Sequence, residues 1–371
     1  MMLFQPPLPP KYSALTEEEI GQAILERKRV LGSRLVILGH HYQQDEVIRF
    51  ADFTGDSLKL SQIGGQQKEA EFIVFCGVHF MAESADILTD DGVKVILPDL
   101  SAGCSMADMA DLEQVEEAWE FLSEACPEPR RECAANVIPI TYVNSAATIK
   151  AFCGGHGGAC CTSSNARKVL EWAFRQGDKV MFLPDQHLGR NTAYGLGFRL
   201  EEMAVWDPYE ELGGNSPDVL SDSRIILWKG HCSVHQRFLP QHVAQVRERH
   251  PGIRVISHPE CRFETVQLSD EVGSTEHIIK CLTQSPSGTK WAVGTEIHLV
   301  NRLKNENPDR FIIPLDDCGC LCSTMFRIDP PHLLWSLENL VEGRVVNQIT
   351  VPPDIAADAR ISLNRMLEIT G

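Results

Sequence analysis

The chain has 371 residues, 43% of them hydrophobic and 23% charged, enough for two or three globular domains with ample core. A formal charge of −17 argues against nucleic acid as the main partner, although local backbone N–H groups can still hold anions. No run of about 18 apolar residues occurs, so no membrane span is expected.

The opening "MMLFQPPLPPKYSALTEEEI" lacks a basic flank and turns Pro-rich at once, unlike a signal peptide. It reads as a mobile arm leading into a helix, with Thr16 as N-cap and Glu19 completing a capping box. The 13 cysteines are an odd number in a chain that does not start like a secreted one. They point to a cytoplasmic protein that uses some thiols for metal or catalysis and buries the rest, not to a disulfide framework.

Short β-branched or apolar runs then alternate with helical stretches, the pattern of parallel α/β units. "RLVILGHHYQ", "EFIVFCGVHF" and "VKVILPDL" form a first set, "NVIPITYVNS", "GACCTSSNA" and "DKVMFLPDQH" a second, and "GIRVISHPE", "DEVGSTEHI" and "KWAVGTEIH" a third. The sets read as an internal triplication. The first strands end in His40-His41-Tyr42, Tyr142-Val143-Asn144 and His258-Pro259-Glu260. The second elements end near Glu83-Ser84, Thr162-Ser163-Ser164 and Ser274-Thr275, and the third strands begin at Lys94, Lys179 and Lys290. The expected organisation is an arm and helix over 1–30, then α/β repeats over 31–135, 136–250 and 251–371. A return of the chain to the first repeat near the C-terminus is left open. Two stretches, "MADLEQVEEAWEFLSEACPEPRRECAAN" (a helix plus a Pro-rich turn) and the Gly-rich "LGRNTAYGLGFRLEEMAVWDPYEELGGNSPDVLSDS", read as surface insertions in the first two repeats. Ligands of open α/β sheets sit outside the carboxyl ends of the strands, where the polar tips lie.

The stretch "DCGCLCSTM" packs Cys318, Cys320 and Cys322 into five residues, which suits a metal site, a disulfide or a redox switch. Cys-Ser occurs three times, at Cys104, Cys232 and Cys322, each time after a strand-like run and once per repeat. Three such thiolates suit Zn²⁺ or an iron–sulfur cluster, and three incidental core thiols are the plain alternative. The close C-x₂-C pairs usual in structural zinc sites are absent. Three cysteines on a four-iron cluster leave one iron without a protein ligand, open to act as a Lewis acid.

The blocks "VILGHHYQQDEVIRFADFTGDSLKLSQ", "ITYVNSAATIKAF", "CCTSSNARKVL", "LPDQHLGRNTA", "VISHPEC", "GSTEHII" and "AVGTEIHLVNRL" follow one another between about residues 35 and 340. In kind and order they closely resemble the motifs of the quinolinate synthase family of de novo NAD biosynthesis. The resemblance implies an α/β fold of three pseudo-threefold-related domains, each a parallel sheet flanked by helices, around a central [4Fe–4S] cluster. The ligands it implies are Cys104, Cys232 and Cys322. The implied reaction condenses iminoaspartate with dihydroxyacetone phosphate to quinolinate, phosphate and water, with an L-aspartate oxidase or dehydrogenase as the supplier of iminoaspartate.

By the same resemblance His40, Tyr42 and Glu260 are the candidate catalytic groups, Glu260 the leading acid/base. His40, Tyr142, Asn144, His258 and Glu260 are expected on the dicarboxylate substrate or product. Ser57, Ser163 (or its neighbour Ser164), Ser274 and Thr275, at strand-to-helix junctions, are expected around phosphate. Ser57 also reads as an ordinary N-cap. Tyr142 with Asn144, and His258 with Glu260, are two apart and so expected on one strand face, with His41 and Cys261 pointing away. Another iron–sulfur hydro-lyase of small carboxylic acids and a non-enzymatic iron–sulfur redox sensor are the competing readings. The second lacks a basic helix-turn-helix and has no need of the polar strand tips.

Overall fold

The computed structural model describes residues 4–67, 69–90, 92–124, 137–317 and 319–370. The Pro-rich turn expected within 125–136 and the thiol of Cys318 lie outside them.

Three sheets carry the fold. In the first, β1 (Leu35–His40) is flanked by β2 (Phe53–Gly55) and β3 (Phe72–Cys76), and β4 (Lys94–Ile96) follows β3. In the second, β5 (Val137–Tyr142) is flanked by β6 (Ala159–Cys161) and β7 (Lys179–Leu183). Beyond them lie β8 (Met203–Trp206) at the edge and β9 (Ile225–Trp228) between β7 and β8. In the third, β10 (Arg254–Ser257) lies between β11 (Glu271–Val272) and β12 (Lys290–Gly294), with β13 (Phe311–Pro314) outermost. Each sheet therefore repeats one core order: second strand, first, third, and then β4, β9 or β13, with β8 added outside β9 in the second sheet. Among the described residues all ladder pairs are parallel except that of the short β14 (Gln348–Ile349), which joins β4 antiparallel. The runs "LVILGH", "FIVFC" and "KVMFL" are buried throughout, as strands covered on both faces must be. No helix among the described residues is long and apolar enough to cross a membrane.

By contact the chain divides into two compact units. One comprises 1–104, 296–306 and 319–352 and holds the first sheet. The other comprises 105–295, 307–318 and 353–371 and holds the second and third.

The strand order corrects the alignment of the first repeat. Its second strand is β2, so "EFIVFCGVHF" supplies the third strand, and Lys94 opens the fourth. The segment "FTG" is three residues long and two of them are exposed, so it carries no apolar signal. Glu83 and Ser84 lie inside the helix His79–Leu88, where the Ser84 hydroxyl donates to the Phe80 carbonyl.

Both expected insertions are structural. Leu112–Glu124 is a helix whose Val115, Ala118 and Leu122 enter the core around Met181, Ile226 and Trp228. The Gly-rich stretch supplies β8, whose Ala204 and Trp206 join that core, and the helix Pro217–Asp222. The N-terminal arm is docked. The Gln5 side chain accepts from the Leu100 N–H and the Asn347 amide, and the buried Tyr12 donates to Glu338 over 2.7 Å. Thr16 and Glu19 form the expected capping box on the helix Glu17–Leu31. At the C-terminus the helix Pro353–Thr370 lies so close to the helix Ala147–Gly155 that a Cβ on Gly154 would meet the Asp358 carbonyl oxygen at 1.9 Å.

Candidate active site

In the second unit five side chains meet around the carboxyl ends of β5 and β10. Tyr142, the last residue of β5, donates its hydroxyl to Glu260 Oε1 at 2.6 Å. Glu260 Oε2 lies 2.8 Å from His235 Nδ1. A carboxylate only accepts, so Nδ1 carries the proton. His235 Nε2 is 3.0 Å from the Thr295 hydroxyl, and the His235 and His258 rings stack with centroids 4.3 Å apart. All five residues are buried.

His258 and Glu260 come together through a turn, not a strand face. β10 ends at Ser257, and the Cys261 N–H closes the turn on the His258 carbonyl with Pro259 inside it. The Asn191 amide clamps this turn by donating to the Pro259 and Cys261 carbonyls at 2.8 and 2.9 Å. Asn144 likewise lies beyond β5. The Ser145 hydroxyl donates to the Tyr142 carbonyl, and the Ser145 carbonyl accepts from the fully buried Lys150 ammonium.

Burial alone would push the Glu260 carboxyl up. Its histidine neighbours and the His235 and Tyr142 hydrogen bonds outweigh that and hold it at about 2. Burial, then the adjacent His235, bring His258 down to about 3 against the opposing pull of Glu260. Burial, then the charge of Glu260, push the Asp185 carboxyl up.

Asn144 Oδ1, Thr162 Oγ1 and Asn165 Nδ2 are buried polar atoms without a partner among the described residues. Such atoms are costly unless a ligand or water meets them. Thr162 and Asn165 flank Ser163 just before the helix Ala166–Gln176, where backbone N–H groups and the helix dipole favour an anion. Ser163 is half-buried and Ser164 exposed. Ser274 caps the helix Thr275–Gln284 through the His277 N–H, and Thr275 is buried at its first position.

In the first unit His40 ends β1, and its Nδ1 accepts the Tyr42 N–H at 3.1 Å. The neutral ring therefore carries its proton on Nε2. Tyr42 meets that ring edge-on, with centroids 4.9 Å apart. His41 lies past the strand, and its carbonyl accepts from Arg302 Nη1. Arg302 also binds the Gln43 carbonyl and Asp45 Oδ1. Gln43 and Gln44 donate to the carbonyls of Met325 and Ile328, which ties the strand tip to the segment after Cys322. Ser57 is buried as the first residue of the helix Ser57–Gln66. The N-cap is Asp56, whose carboxylate accepts the Lys59 N–H.

The three Cys-Ser cysteines occupy one register. Each follows the strand that lies beside the third one in its sheet: β4, β9 or β13. The 3-10 turns Ala107–Met109, His235–Arg237 and Met325–Arg327 begin three residues after Cys104, Cys232 and Cys322. The helices Leu112–Glu124, Pro240–Arg249 and Pro330–Val341 begin eight residues after them. The first helical N–H after each third strand donates to the carbonyl two residues before the cysteine: His79 to Ala102, Gln186 to Gly230, and Ile297 to Cys320. A Cβ on Gly230 would meet the Pro184 carbonyl oxygen at 2.2 Å, so that loop needs glycine. The three thiols are half-buried, whereas Cys76, Cys153, Cys160, Cys161, Cys261 and Cys320 are buried. Burial pushes the Cys322 thiol up.

Ligand atoms of Cys232, His235 and Glu260 lie within 4.8 Å of one another. A second grouping, Glu271, His277 and Cys281, is half-exposed, and the guanidinium of Arg254 already pairs with Glu271. His235, Asn165, Asn191 and Gln43 escaped the sequence reading, and Thr162 was marked only as a polar tip beside Ser163. For His235 the available signal was its place three residues after Cys232; for Gln43, its place inside "HHYQQD".

The model of the family described as quinolinate synthetase A protein matches residues 22–368. A protein of Acidobacterium capsulatum named quinolinate synthase is 58% identical over 362 residues, covering 97% of this chain and 95% of that one. Proteins of the same name from Geobacillus kaustophilus and Bacillus subtilis are 56% and 54% identical, each covering 98% of this chain and 96% of their own. A match of this extent, on a chain whose three sheets share one four-strand core arrangement, makes the protein a member of the quinolinate synthetase A protein family.

Proposed function

We propose that the chain is a quinolinate synthase that condenses iminoaspartate with dihydroxyacetone phosphate, releasing quinolinate, phosphate and water. The observation that carries this reading is the buried Tyr142–Glu260–His235 network beside Cys232. Cys232 itself sits in the register shared with Cys104 and Cys322.

The residues fit a [4Fe–4S] cluster. Cys104, Cys232 and Cys322 would hold it: three half-buried sulfur donors on equivalent loops, with no nitrogen or oxygen ligand needed to complete the set. When bound, such a cluster supplies a Lewis-acidic iron with an open coordination position.

The chain's own side chains do the rest. The Thr162 hydroxyl and Asn165 amide at one helix start, Ser274 and Thr275 at another, and Ser57 at a third offer donors to phosphate and carboxylate oxygens. The Asn144 amide meets the dicarboxylate, and its flip presents N–H or oxygen as required. His40 presents Nε2–H, and Tyr42 its hydroxyl. Glu260 takes a proton from carbon beside the imine and returns it to a departing hydroxyl. A carboxyl held at about 2 is a weak base. Its strength rises when substrate draws the Tyr142 hydroxyl away from Oε1. His235 keeps Oε2 oriented, and Thr295 sets the His235 ring.

The imine must come from oxidation of the aspartate amine by a separate enzyme. The test is anaerobic, with iron-loaded protein, iminoaspartate generated in situ and dihydroxyacetone phosphate. Quinolinate and phosphate should appear in equal amounts. Iron-loaded protein that makes neither would overturn the reading, and dehydration of a hydroxy acid alone would favour a hydro-lyase.

A further inference from the structure

Two fully buried carboxyl groups stand at matching places, and their hydrogen bonds go to partners other than Glu260. Asp185 and Glu296 each lie two residues past a third strand, β7 and β12, and directly before a helix, Gln186–Gly195 and Ile297–Glu306. Each divides its oxygens between two tasks. Asp185 Oδ1 caps its helix by accepting the Leu188 N–H at 2.7 Å, and Oδ2 accepts the Cys232 N–H at 3.1 Å. Glu296 Oε2 accepts the His298 N–H at 2.8 Å, and Oε1 accepts the Cys322 N–H at 3.4 Å and faces His298 Nδ1 at 2.9 Å.

Capping does not require this. A serine, threonine or asparagine caps a helix as well, without the cost of burying a charge. The second oxygen explains the acid, because only a carboxylate can accept at both ends. The first repeat has Val78 at the same place, and valine has no acceptor to offer.

We propose that Asp185 and Glu296 are positioning residues that hold the backbones of Cys232 and Cys322, and so aim their thiolates at the cluster. The inference rests on the cofactor reading above. All three ligand loops share the backbone bond to the carbonyl two residues before the cysteine, and at Cys232 and Cys322 a carboxylate also accepts from the cysteine N–H.

The test compares Asp185→Asn, Glu296→Gln and Val78→Ala with the unaltered chain, all purified without oxygen. An amide keeps one oxygen and turns an NH₂ donor toward the other N–H, so it cannot serve both ends. Val78→Ala alters the matching position, which makes no side-chain cap, and serves as the control. The readouts are iron and sulfide content, the rate of iron release to a chelator, and the electron paramagnetic resonance signal of the reduced cluster. In both amide variants iron release should quicken on the order of 10-fold, with a changed resonance signal. Val78→Ala should match the unaltered chain. An unaltered chain that takes up no cluster would refute the cofactor reading, before any variant is compared. A loaded chain whose two amide variants release iron no faster than Val78→Ala, with the same signal, would overturn the positioning role. Should Asp185→Asn fail to fold, Glu296→Gln decides.

Discussion

Tyr142 and Glu260 lie 118 positions apart in the chain and meet in a buried hydrogen bond of 2.6 Å. The phenol comes from the tip of β5 and the carboxylate from the turn after β10, so each reports on the other. Glu260→Gln keeps the shape and removes the ionisable group. Turnover should fall on the order of 100-fold or more, with cluster content unchanged. Tyr142→Phe should cost less and raise the pH at which activity sets in, because Glu260 loses a donor that favours its anion. Normal turnover in Glu260→Gln, with full iron loading, would remove Glu260 from the chemistry.

Acid should destabilise the fold from mildly acidic pH downward. His258 gains its proton at about 3 in the folded chain, against 6.5 for an ordinary imidazole. Between those values the unfolded chain binds more protons, so stability falls as pH falls, by roughly 1.4 kcal/mol per pH unit. Glu260 acts in the same direction lower down. Its contribution is complete above its ordinary value of 4.5 and is lost as pH falls toward about 2. Urea midpoints measured between pH 7.5 and pH 5, values chosen to bracket roughly the ordinary imidazole range, should fall for the parent chain. They should fall less for His258→Gln, and equal slopes would refute the assignment.

Cys104→Ser, Cys232→Ser and Cys322→Ser should each abolish cluster binding and activity. Cys320→Ser should keep both, since Cys320 is buried and contributes its carbonyl to Ile297. Iron analysis of anaerobic preparations decides. Loss of iron in Cys320→Ser with retention in Cys322→Ser would move the ligand two residues along the loop.

Asn191→Ala should lower turnover on the order of 10-fold while KM moves little, because the clamp on Pro259 and Cys261 sets the angle of Glu260 without touching substrate. Its stability cost should be about 1–3 kcal/mol, from two buried carbonyls left without a donor. A variant with unchanged turnover would show that the turn holds its shape alone.

The strands that cross buried sheet centres were legible because β-branched runs such as "LVILGH" and "KVMFL" leave no other reading. The strand β2 was not, being short and half in solvent, nor was β8, hidden among glycines. Cys-Ser after a strand marked three equivalent thiols without any knowledge of the turns that follow. His258 and Glu260 were paired correctly but for the wrong reason. Alternation along a strand and a four-residue turn both bring residues two apart together, and only coordinates separate the cases. His235 sits in a 3-10 turn, where no periodicity marks it. Asp185 and Glu296 drew no reading from the sequence, since the partner of the second oxygen is 47 residues away for one and 26 for the other.

The common spacing from cysteine to helix also governs how this chain can change length. Between Cys232 and Pro240, one inserted residue would lengthen the path through the 3-10 turn and move the thiol out of the shared register. The same holds after Cys104 and Cys322. The stretch from Asp207 to Ser216, between β8 and the helix Pro217–Asp222, carries no such constraint, and Tyr209 within it is 84% exposed. Tags, reporters or extra loops inserted there should leave iron loading intact. A single alanine placed after Ser233 should not.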